Sequence, residues 1–69
     1  MHIYQLTPRG KAIAQSTTGA NTINWRVIYA LDRLNYATPE QISLQTEIGV
    51  NDIATSLIIL RRKGIVGEG

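Results

Sequence analysis

The chain has 69 residues and a formal net charge of +2, which makes one domain near the lower size limit for a core without staples. It has no cysteine and a single histidine, His2, so neither a disulfide framework nor a metal site of thiolates or paired imidazoles is available. Hydrophobic residues make up 43% of the chain, no apolar run is long enough to span a membrane, and no secretion signal opens it, so a cytoplasmic protein is expected.

The first predicted element is a strand in Ile3-Tyr4-Gln5-Leu6, where the alternation with Met1 and His2 is imperfect but the composition is strand-like. A short helix follows to about Ser16, with Thr7 as its cap and Pro8 at its first position, where a missing N–H is no loss. Gly10 is costly inside such a helix, by roughly 1 kcal/mol against alanine. Close approach of this helix to its neighbour is the expected reason. Residues 16–21 form a polar connector without periodicity. A second helix is expected from Thr22 or Asn24 to about Asn35. Its apolar stripe is Trp25, Ile28, Leu31 and Tyr36, with Val27 and Leu34 beside it. Tyr36-Ala37-Thr38 has room for only a very short strand.

Residues 38–66 are the most informative stretch. Thr38 is a good N-cap, Pro39 suits the first helical position, and Gln41 completes a capping box. A turn is predicted around Ile48-Gly49-Val50, then a helix over residues 50–63 with Ile53, Leu57 and Leu60 on one face. Arg61, Arg62 and Lys63 complement the dipole at its end, Gly64 is free to take positive φ, and Ile65-Val66 begins a strand.

Three segments carry a resemblance to a known fold: Thr38-Pro39-Glu40-Gln41-Ile42, the leucines of Leu57-Ile58-Ile59-Leu60, and Arg62-Lys63-Gly64-Ile65-Val66. In this order they resemble a winged helix-turn-helix, as found in small bacterial and archaeal transcription regulators. Leu6-Thr7-Pro8-Arg9-Gly10 resembles the "Leu-Thr-x-x-Gly" that closes the wing in MarR-like regulators, although here it stands first in the chain. The resemblance implies an α+β, mostly helical fold with three to four helices and a small antiparallel sheet. It also implies double-stranded DNA as partner, recognised by the helix over residues 50–63 in the major groove, and a regulator acting as a homodimer.

On that helix, removal of the core positions leaves Asn51, Asp52, Thr55, Ser56, Ile59, Arg62 and Lys63 facing outward. Asn51 can pair bidentately with adenine, Thr55 and Ser56 can bond bases or phosphates, and Arg62 and Lys63 suit phosphates. Ile59 can meet thymine methyls or belong to a protein interface. Arg9, Lys11, Arg26 and Arg33 are candidate phosphate contacts or plain solubilising charges. Against DNA stands Asp52, which repels phosphate. The alternative is therefore a winged helix used for protein assembly through the Ile59 face. Catalysis is not expected. The five acids show no paired spacing in an apolar setting, no serine has a base within sequence reach, and no glycine-rich phosphate loop occurs, so no cofactor is expected either.

One further expectation follows from order along the chain. A wing strand at residues 65–68 needs a partner, since an unpaired edge exposes its backbone groups. No returning strand follows it, so the N-terminal strand is predicted to pair with it antiparallel, within one chain or by exchange between two.

Overall fold

The computed structural model describes residues 2–16 and 22–69. It runs β1 (Tyr4–Leu6), α1 (Pro8–Ser16), α2 (Ile23–Leu34), β2 (Tyr36–Ala37), α3 (Pro39–Thr46), α4 (Val50–Arg62) and β3 (Val66–Glu68). The fold is α+β and mostly helical, with one antiparallel sheet in the order β2-β1-β3. Met1 and residues 17–21 of the expected connector lie outside the described residues.

The local signals in residues 38–66 form as their chemistry requires. The Thr38 hydroxyl accepts from the Gln41 N–H at 3.2 Å, and the Gln41 side chain accepts from the Thr38 N–H at 2.9 Å, a complete capping box. At the far end of α4, Gly64 has φ +75°, its N–H donates to the Arg61 carbonyl, and the Ile65 N–H donates to the Leu60 carbonyl. Those two bonds make a Schellman motif, and the buried side chains of Leu60 and Ile65 supply its apolar contact.

Helix α2 differs from its predicted stripe. Val27, Ile28, Ala30 and Leu31 are buried, and Trp25 is half-buried against the core with its ring 5.7 Å from that of Tyr29. Leu34 and Tyr36 are exposed, Tyr36 at 65%. For Tyr36 the reason is Asn35, which ends the helix with φ +70°. Tyr36 therefore leaves the helical period and joins β2, opposite Gln5 on the outward face of the sheet.

The N-terminal strand pairs antiparallel with β3 in the register Tyr4↔Glu68, Gln5↔Gly67 and Leu6↔Val66. It also pairs with β2, which places β1 at the centre of the sheet, between both possible edges. Leu6, Ala37 and Val66 turn inward onto Val27, Leu31, Ile53, Leu57 and Leu60, and Tyr4 packs beside them. At one side Glu68 pairs with Arg61 at 2.7 Å and with His2.

Gly10 marks the close approach expected of it. It packs against the peptide of Ile65, where the chain enters β3. A Cβ at position 10 would lie 2.1 Å from the Ile65 carbonyl oxygen. That oxygen is the acceptor for the Thr7 N–H at 3.0 Å, and the Thr7 hydroxyl donates to the Gly64 carbonyl at 2.6 Å while accepting from the Gly10 N–H. Thr7 thus caps α1 and ties the sheet to the end of α4 with the same side chain.

Candidate functional site

Helices α3 and α4 are joined by a turn that falls slightly earlier than predicted. Glu47 takes the left-handed conformation, with φ +60°, and its N–H closes onto the Ser43 carbonyl at 2.8 Å. The Ser43 hydroxyl donates to the Ile48 carbonyl and the Thr46 hydroxyl to the Ile42 carbonyl, so three local bonds fix the backbone of the turn. Gly49 then starts α4 without a side-chain cap. The direction of α4 is set by this turn and by Ile42, Ile53, Leu57 and Leu60, all buried where α2, α3 and α4 meet.

With that side fixed, the outer side of α4 is fixed too. Asn51, Thr55, Ile58 and Arg62 are exposed and recur at i, i+4, i+7 and i+11, one stripe of the helix. Asp52, in the first turn where an acid favours the helix dipole, and Ile59 lie to one side of it. They line a shallow groove against the start of α2, together with Ile23, Asn24, Thr55 and Ser56. Lys63 follows at the C-cap, exposed beside Arg62. Neither makes an ion pair among the described residues, whereas Arg61 is held by Glu68.

Ser56 corrects the sequence-based site. It was expected to face outward, yet it is 2% exposed, and its hydroxyl donates to the Asn24 side-chain oxygen at 2.5 Å. A buried hydroxyl needs such a partner. Asn24 supplies it from 32 residues away in sequence, beyond the reach of any local pattern. Ser56 therefore fastens α4 to α2 and is not available to a base or phosphate. The Thr55 hydroxyl, in turn, donates to the Asn51 carbonyl at 3.1 Å. Its proton is engaged within the helix, and it has a methyl group and lone pairs left to offer.

Ile58 is the residue that sequence reasoning missed. It is absent from the outward set expected from the sequence, but it is 55% exposed, against 38% for Ile59. The signal was present in the spacing, since Ile58 stands three residues after Thr55 and seven after Asn51. The other basic candidates are distributed: Arg9 and Lys11 are exposed on α1, and Arg26 and Arg33 line a separate groove between α2 and α3 with Gln45 and Thr46.

No group of three or more metal-binding side chains occurs among the described residues, and none of the described helices is long and apolar enough to cross a membrane. Searches with family models, among curated proteins and among solved structures found no match to this chain.

Proposed function

We propose that the chain is a winged helix-turn-helix domain that binds double-stranded DNA as a small transcriptional regulator. Helix α4 enters the major groove in this reading, and two copies act together on paired half-sites. The observation that carries it is the outer stripe of α4. A helix whose inner side is locked into the core presents a hydrogen-bonding amide at its start and unpaired cations at its end. That is the order a groove-lying helix needs, with base-reading groups towards its N-terminus and phosphate contacts around them. The three-helix arrangement of α2, α3 and α4, with β2 before α3 and β3 after α4, supports the winged-helix reading. In it β1 takes the place of the wing's returning strand, as though the wing had been opened at its tip and rejoined elsewhere. Dimer formation is part of the proposal because one module this small covers a single half-site.

Two substitutions test the assignment of roles. Asn51→Ala is expected to cost about 1–3 kcal/mol of discrimination at one base position. Arg62→Ala is expected to weaken binding to all duplexes alike and to lower the salt slope by about one. Fluorescence anisotropy with matched duplexes reads both effects, and unchanged binding in both variants would reject the assignment.

A second reading, a protein-assembly module, is favoured by the exposed apolar residues. Val50, Ile58 and Ile59 on α4 and Leu44 on α3, at 83% exposure, are more apolar surface than a solubilised helix pair needs. Retention of a protein partner by the parent, lost on Ile59→Ala with no duplex binding, would favour this second reading.

A further inference from the structure

Resting on the DNA-binding reading, we infer that the duplex read by α4 is rich in A·T pairs, with thymine methyl groups packed on Ile58. The side chains along the groove-facing stripe favour A·T pairs over G·C. Guanine is read through two acceptors, O6 and N7, usually by the paired donors of an arginine or by a lysine. Residues 50–60 contain no arginine, lysine or glutamine, and the first cation of the stripe, Arg62, comes eleven residues after Asn51. It stands about three turns along the helix from Asn51 and one turn past Ile58, with which it lines a shallow groove beside Arg61, at the end of α4 where phosphates are the nearer targets.

What the stripe does hold matches A·T pairs. The Asn51 amide can accept from adenine N6 and donate to N7. Thr55 has engaged its proton with the Asn51 carbonyl, so it faces a base with a methyl group and acceptor lone pairs. Ile58 follows, more than half exposed in the middle of the outer side, with Ala54 exposed next to it. The apolar feature of the major groove is the C5-methyl of thymine, and an exposed isoleucine there gains by covering it. Asp52, the carboxylate that would best accept from the cytosine amino group, lies to the side, in the groove with Ile23 and Asn24, so the apolar stretch of Ala54 and Ile58 decides in favour of thymine.

The test uses the whole chain and a pool of short duplexes with a randomised centre. Selection is expected to enrich A·T pairs. The selected duplex is then resynthesised with deoxyuridine for thymidine, which removes the C5-methyl and leaves every hydrogen-bonding group. Affinity is expected to fall about fourfold for each methyl that Ile58 covers, from about 0.8 kcal/mol per buried methyl-sized group. Ile58→Ala, a surface change to a better helix former, is expected to bind the thymidine and deoxyuridine duplexes equally. Enrichment of G·C pairs, or equal binding of both duplexes by the parent, would overturn the inference while DNA binding stood. So would an Ile58→Ala variant that still distinguished them, since the preference would then come from duplex shape. Failure to retain any duplex would instead remove the DNA-binding reading itself.

Discussion

Leu57→Ala is expected to lower the stability of this domain by about 2–5 kcal/mol. Leu57 is essentially inaccessible to solvent and lies among Ile53, Leu60, Ile42 and Leu31, all equally enclosed, at the junction of α2, α3 and α4. Truncation removes three carbons from a site whose walls come from three helices, so collapse around the hole is restricted and the cavity adds to the lost transfer energy. Stability of a domain this small is itself only about 5 kcal/mol, so the variant should be partly unfolded at physiological temperature. Thermal unfolding followed by circular dichroism measures this, with a fall of about 10 °C or more expected. A midpoint within a few degrees of the parent would mean that α4 turns a different side to the core, and the outer stripe would have to be redrawn.

Gly10→Ala is expected to destabilise as well, against its local preference. Alanine in a helix interior gains roughly 1 kcal/mol over glycine, and it also narrows the unfolded ensemble. Opposing this is a Cβ placed 2.1 Å from the Ile65 carbonyl oxygen, a backbone atom that cannot rotate away. Relief requires α1 to back off from the start of β3, which pulls on the Thr7 N–H bond to that same oxygen and on the Thr7 hydroxyl bond to Gly64. Overpacking costs about 1–3 kcal/mol, with the upper end applying against rigid backbone, so after the alanine gain a net loss of about 1–2 kcal/mol is expected. Amide exchange should quicken in β1 and β3 before it does in α4. An unchanged or raised melting temperature would show that α1 does not sit this close to β3.

These two positions also mark what was legible in the sequence. Capping and termination are local chemistry, and there the reading was sound: Thr38 with Gln41, Pro39, and Gly64 at the end of α4 form the bonds their types demand. The core face of α4 was legible because Ile53, Leu57 and Leu60 keep helical spacing. The pairing of β1 with β3 was legible from the need of one edge strand for a partner. Long-range contacts were not. Nothing near Ser56 in sequence announces Asn24, and nothing near Gly10 announces the peptide of Ile65. Tyr36 continued the stripe of α2 on paper, because the period alone cannot show that Asn35 turns the chain out of the helix. Ile58 shares the outer stripe by its spacing from Asn51 and Thr55, a signal that its place between the core leucines Leu57 and Leu60 masks. For the candidate site, the outward placement of Asn51, Thr55, Ile59, Arg62 and Lys63 was therefore readable, Ser56 was misplaced, and Ile58 was overlooked.

Binding of a mixed-sequence duplex by the parent chain, titrated at about 50 mM and about 200 mM salt, bears most directly on the role of α4. Phosphate contacts by Arg62, Lys63 and the same residues of a second copy would release counterions, about four in all. Affinity is then expected to fall about a hundredfold between the two conditions. An affinity that stays flat across them, or no association with duplex at either, would contradict DNA binding through α4.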